Sequence, residues 1–260
     1  MKLAALIDLF FTDKSWEKRV VEIAGCGYRY IETWQGGDAK VLQQMNSAGK
    51  DCGVSLVSIV MNHVGDKDTA PINRENKSRF AERIDRFSDN ALSAGCTQGI
   101  VTTGNSISGH DYQSQRAALV EALRAAGELA KTKGFTLNLE PLNTEVDHPG
   151  YFLDCPVEGV AIVKETGLDN VRILYDFYHM AIMTGNQASF IEHNIKWIGH
   201  FHIAGIPGRN EPITGELYYP FMLAVSLNAG YDRYFGLEYK PLIACPETLI
   251  KTLSYLKGNE

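Results

Sequence analysis

Five times along the chain a helix-like stretch ends at glycine and a short apolar run follows: AGCGYRYIETW (24–34), AGCTQGIVTTG (94–104), KGFTLNLEP (133–141), TGLDNVRILYD (166–176) and AGYDRYFGLEY (229–239). Glycine is favoured just past a helix end because it enters the left-handed conformation without a Cβ clash. The runs behind it are aromatic, β-branched and aliphatic, as buried strands are. Extended over the chain, this reading predicts strands at 3–8, 28–33, 54–60, 98–102, 135–140, 171–175, 199–203 and 234–238. It predicts helices at 15–25, 38–51, 75–94, 111–133, 156–166, 187–196, 217–228 and 245–256. Leu119, Leu123, Ala126 and Ala130 make an apolar stripe at helical spacing on the fourth helix; Leu249, Ile250, Leu253 and Leu256 do so on the last.

Strands and helices in strict alternation imply a parallel sheet with right-handed crossovers, and eight of each most simply close into a (β/α)₈ TIM barrel. The 260 residues match the roughly 250 usual for that fold, so the expectation is a single barrel domain over 1–260. Helix-to-strand turns are short, whereas the connections 61–74, 103–110, 141–155 and 204–216 are long. Long strand-to-helix loops belong to the C-terminal face of a barrel, where active sites of this fold lie. An open doubly wound sheet would carry a glycine-rich phosphate loop after a strand, and none is present.

Composition narrows the function. With 45% apolar and 22% charged residues the chain is an ordinary globular one, and its net charge of -6 argues against a nucleic-acid partner. No apolar run reaches the roughly 18 residues that span a membrane. The apolar start, MKLAALIDLFF, is interrupted by Asp8 and reads as a first strand. Five scattered cysteines with no CxxC pair indicate reduced thiols and a cytoplasmic protein. No GxSxG or local Cys–His signature supports covalent catalysis, and no motif calls for an organic cofactor.

The chemistry gathers at strand ends. Glu140, Asp176, His202 and Glu238 terminate four successive predicted strands. By period-2 alternation, Glu140 shares a face with Thr136 and Asn138, His202 with His200, and Glu238 with Tyr234 and Gly236. Phe135, Leu137, Leu139, Phe201, Ile203, Phe235 and Leu237 take the opposite face, which suits a helix layer. Three carboxylates and an imidazole converging inside a barrel suit a hard or borderline divalent cation, and without one they would raise each other's pKa values. A single such residue is as readily a helix cap or a paired core histidine; four at equivalent positions are not. Glu32, a fifth acidic strand end, is read as supporting or substrate-facing and not as a ligand. His179, Arg209 and Lys240 lie close by in sequence, with Asn143, Glu145 and His148 in the loop after Glu140; Glu216 is placed as a cap on the next helix. Arg209, in a Pro/Gly-rich loop, could hold a carboxylate through a two-pronged contact.

At LEPLN, YDFYHM, IGHFHIAGIPGRNEP, GELYYP and GLEYKP the chain resembles the hydroxypyruvate isomerase family of the xylose-isomerase-like barrels, most clearly over 135–241. The resemblance implies a catalytic glutamate pair, Glu140 and Glu238. It implies a Mg²⁺ or Mn²⁺ ion on Glu140, Asp176, His202 and Glu238, as in related ketose 3-epimerases, and substrate contacts from His179 and Arg209, to which Lys240 is added. His202 is the sugar epimerases' choice where many hydroxypyruvate isomerases carry Gln; GRNEP and EYKP belong to the isomerase branch. The expected activity is the interconversion of hydroxypyruvate and tartronate semialdehyde through an enediolate. A ketose 3-epimerase is the nearest alternative; an endonuclease or a non-enzymatic sugar-binding barrel is more distant. The expected partner is a small hydroxy-keto acid or sugar, with no nucleic acid and no membrane; a homo-oligomer is left open.

Overall fold

A computed structural model describes residues 1–258. Eight parallel strands pair in sequence order and close on themselves. They are β1 (Lys2–Leu6), β2 (Tyr30–Thr33), β3 (Ser55–Val60), β4 (Gln98–Val101), β5 (Thr136–Leu139), β6 (Val171–Asp176), β7 (Ile198–Ile203) and β8 (Tyr234–Leu237). The helices are α1 (Trp16–Gly25), α2 (Ala39–Cys52), α3 (Lys77–Ser93), α4 (Tyr112–Thr132), α5 (Pro156–Thr166), α6 (Phe177–Met183), α7 (Gln187–Asn194), α8 (Tyr219–Asn228) and α9 (Glu247–Lys257). The predicted barrel is therefore present, with strand bounds shifted by up to two residues; Glu140 and Glu238 fall just beyond β5 and β8.

Glycine turns set the helix-to-strand connections: Gly27, Gly95, Gly134, Gly167 and Gly230 all hold positive φ. Two predicted features are corrected. Helix α6 was not anticipated, because seven residues are too few for a periodic stripe and Phe177, Tyr178 and Met180 are buried on more than one side. Glu216 is not a cap: it is exposed, and α8 starts at Tyr219 with no side-chain cap.

The main core lies between strands and helices. Phe135 just before β5, Leu137 and Leu139 of β5, Phe201 and Ile203 of β7, and Phe235 and Leu237 of β8 are buried there. Phe201 stacks on Phe177 at 5.0 Å and on Phe235 at 5.2 Å between ring centroids. The barrel interior is divided. Val60, Ile100 and Leu174, with Trp34 against them, form a small apolar cluster. Ser58, Gln98, Asn138, Glu32 and His200 are polar and buried. A register shift between β6 and β7, where Ile173 pairs with Ile198 and Leu174 with His200, sets which residues of β7 face inward. No helix among the described residues is long and apolar enough to cross a membrane.

Candidate active site

Four strand ends meet at the C-terminal mouth of the barrel. Glu140, Asp176, His202 and Glu238 are all buried, and each offers a ligand atom within 4.8 Å of the others. His202 Nδ1 lies 2.9 Å from Glu238 Oε2 and 3.6 Å from Glu140 Oε1. Asp176 ends β6 and starts α6: its Oδ1 accepts from the backbone N–H of Tyr178 at 2.8 Å and of His179 at 3.3 Å. Its Oδ2 faces the cluster. One oxygen of this strand-end carboxylate is thus a helix cap, and the other faces the buried cluster.

The first turn of α6 also delivers His179. Its Nδ1 faces the backbone N–H of Asn143 at 3.2 Å and the Asn143 side-chain amide at 2.7 Å. The Asn143 oxygen accepts from the N–H groups of Val146 and Asp147 at 3.1 and 2.8 Å, which leaves its NH₂ for His179 and Asp147. His179 Nδ1 is therefore an acceptor, and the ring proton sits on Nε2, 3.5 Å from Asp176 Oδ2. Arg209 reaches in from the loop after β7. Its Nη2 donates to Glu238 Oε2 at 2.6 Å and lies 3.7 Å from Asp176 Oδ2, and its guanidinium sits over the Tyr178 ring. Arg209 holds a left-handed backbone, φ 57°, fixed where Lys240 N–H donates to its carbonyl at 2.7 Å. The Lys240 side chain is exposed at the rim.

A cavity of about 260 Å³ opens over these groups, lined by Trp34, His63, Glu140, His148, Arg209 and Glu238 among others. A larger depression of about 850 Å³ beside Lys14, Glu22 and Asp51 lies on the helical exterior and gathers none of the buried cluster.

A profile of the xylose isomerase-like TIM barrel family matches residues 20–257. The chain belongs to that family. Over 243 residues it is 31% identical to the 2-oxo-tetronate isomerase of Cupriavidus necator, covering 92% of this chain and 93% of the relative. The hydroxypyruvate isomerase of Escherichia coli is 35% identical over 138 residues, 53% of each chain. A crystal structure titled as an AP endonuclease, family 2, from Brucella melitensis superposes with a TM-score of 0.88 at 28% identity, covering 98% of both chains. The named relatives make this chain an isomerase of the family.

The electrostatics of the buried cluster split its carboxylates. Burial raises Glu140, and the nearby Glu238 charge adds to this against the pull of His202 and Arg209. Burial likewise lifts Asp176 to about 7, with Arg209 and His202 only partly offsetting it. For Glu238 burial acts in the same direction, but Arg209 and His202 outweigh it and hold the carboxyl well below its usual range. His202 is raised well above its usual value: burial opposes its charge, and Glu32 and Glu238 more than compensate. His179 is lowered well below its usual value by burial and then by Arg209.

The residues fit a divalent cation. Glu140 Oε1 and Asp176 Oδ2 are buried without a hydrogen-bond partner among the described residues, and His202 Nδ1 faces carboxylate oxygens. Orphaned buried acceptors of this kind are costly unless something satisfies them. Three carboxylate oxygens and one imidazole nitrogen are donors for Mg²⁺ or Mn²⁺.

The structure thus brings Glu140, Asp176, His202, Glu238, His179 and Arg209 together and leaves Lys240 at the rim. Of the loop residues, His148 lines the cavity, Asn143 orients His179, and Glu145 is exposed. Sequence reasoning missed Trp34 and His63. Trp34 donates its indole N–H to Glu238 Oε1 at 3.2 Å. Alternation from Glu32 could have pointed to Trp34; His63 sits in a loop with no local signal.

Proposed function

We propose that this isomerase moves a carbonyl between adjacent carbons of a small 2-oxo acid, with hydroxypyruvate and tartronate semialdehyde as the leading pair. The observation that carries the reading is the convergence of Glu140, Asp176, His202 and Glu238 beneath a cavity edged by Arg209 and His148. The relatives named as isomerases of hydroxypyruvate and of 2-oxo-tetronate support the substrate class.

Glu140, Asp176, His202 and Glu238 would hold Mg²⁺ or Mn²⁺, which when bound offsets negative charge developing on substrate oxygens. Glu238 stays ionised between Arg209 and His202, so it removes the carbon-bound proton. Glu140, whose Oε1 has no partner, carries a proton to the adjacent carbon while the hydroxyl proton passes from one substrate oxygen to the other, so the carbonyl changes carbon with no net gain or loss of protons by the substrate. The roles exchange in the reverse direction. Such a pair of carboxyl groups with pKa values pushed apart is the usual signature of an acid and a base. His179 Nε2–H donates to a substrate oxygen and steadies enediolate charge. Arg209 Nη2 turns to the substrate carboxylate, with Lys240 adding positive charge at the rim. Neither step needs an organic cofactor. The five cysteines are free, in keeping with a cytoplasmic setting.

One observation favours a second reading, a ketose 3-epimerase: a histidine, His202, completes the buried set. A single experiment separates the two. Metal-free protein is incubated in D₂O with hydroxypyruvate, 2-oxo-tetronate or ketohexoses, before and after Mn²⁺ or Mg²⁺, and followed by NMR. Metal-dependent deuteration and isomerisation of the oxo acids supports the proposal. Exchange confined to C3 of a ketose supports the epimerase. Absence of exchange in every substrate sinks both.

A further inference from the structure

Beneath the site, the barrel axis holds a polar chain where this fold usually packs branched aliphatic side chains. Glu32 of β2 is buried, with Oε2 at 2.7 Å from His200 Nε2 and Oε1 at 3.3 Å from His202 Nε2. Among the described residues, Glu32 Oε1 and His202 Nε2 have no better partner than each other. His200 Nδ1 faces the Gln98 amide at 3.3 Å, and Gln98 Oε1 accepts from Asn138 Nδ2 at 3.3 Å. His200 thus accepts at Nδ1 and carries its proton on Nε2, toward Glu32. Room for the carboxylate comes from Gly236 of β8. A Cβ there would overlap Glu32 Oε1 and lie 2.7 Å from His202 Cδ2. A buried carboxylate costs several kcal/mol unless paired, so its place under His202 calls for a purpose.

We infer that Glu32 is a positioning residue that holds His202 with its Nε2 proton toward the barrel floor and its Nδ1 lone pair toward Glu140, Asp176 and Glu238. This role rests on the reading that those four residues hold a divalent cation. An imidazole ligates only through an unprotonated nitrogen, so an acceptor at Nε2 selects the tautomer that leaves Nδ1 free and makes it a better donor. His200, pinned by Gln98, fixes Glu32 in turn. Gly236 is the sequence requirement that lets the two side chains meet.

The test uses the full chain, metal-free, titrated with Mn²⁺ by calorimetry, as wild type and as Glu32→Gln. The wild type is expected to take one equivalent, and Glu32→Gln to bind about 10–100-fold more weakly. In ¹⁵N-histidine-labelled, Mg²⁺-loaded wild type, ring NMR is expected to show His202 protonated at Nε2 with Nδ1 shifted by the cation. Equal Mn²⁺ affinity in the two proteins overturns the role of Glu32 and leaves the four-residue reading intact. Ligation through Nε2, or a second equivalent of Mn²⁺ lost with Glu32, also overturns it. A wild type that binds no Mn²⁺ overturns the metal reading itself and this role with it. Because the tautomer is read on the unsubstituted protein, ligation through Nε2 overturns the role even if Glu32→Gln does not fold.

Discussion

Asp176→Asn separates the charge of the site from its shape. The capping oxygen, which accepts from Tyr178 and His179 N–H, survives as the amide oxygen. The other oxygen, buried among Glu140, His202 and Glu238, becomes an uncharged NH₂. Burial raises the Asp176 carboxyl from its usual 3.8 to about 7. A gap of about 3 units, at about 1.4 kcal/mol each, is an ionisation cost of about 4 kcal/mol once the pH exceeds 7. The folded value is the raised one, so the contribution of this group is complete below about pH 4 and is lost as pH rises through about 7. Without metal, wild type should therefore weaken relative to Asp176→Asn by about 3 kcal/mol between pH 5 and pH 8.5. Urea denaturation in EDTA at the two pH values measures this directly. Adding Mn²⁺ should reverse the order, because the cation stabilises the protein that binds it better. Parallel pH dependence of the two proteins in EDTA would refute the argument that Asp176 is held uncharged by its surroundings.

Three further outcomes are expected. Mn²⁺ affinity of wild type should rise with pH up to and beyond 7, because the cation displaces protons from Asp176, Glu140 and His202, all held above their usual values; calorimetry in buffers of different ionisation enthalpy counts those protons. Arg209→Met should raise KM for hydroxypyruvate about 10–100-fold, the loss of one charge-assisted contact, and steady-state kinetics with an uncharged ketose should show no comparable rise. Phe201→Ala, which empties the stack between Phe177 and Phe235, should cost about 3–5 kcal/mol in urea denaturation, and a loss under about 1 kcal/mol would contradict the packing described.

The barrel was legible because its signals are local. Gly27, Gly95, Gly134, Gly167 and Gly230 mark the turns by a conformation that each adopts on its own. The outward faces of β5, β7 and β8 follow from alternation alone, as Leu137, Phe201 and Phe235 illustrate. Helix α6 escaped because Asp176, read as a strand end, is equally its cap. Trp34 and His63 reach the cavity from loops whose paths depend on what they pack against. Lys240 stands near Glu238 in sequence, yet its side chain ends at the rim because its backbone is engaged by Arg209 and Asn210.

By itself the sequence determined the alternation of elements, the faces they bury and the residue types available at one end of the barrel, since all three depend on spacing within a strand or helix. Tertiary structure decided which of those residues meet. Closure of β1 against β8, the register shift at Leu174 and His200, and the gap left at Gly236 bring Glu32, His202, Glu140, Asp176 and Glu238 within reach of one another. Distances between strands far apart in the chain are fixed by how the barrel closes, and no local periodicity encodes them.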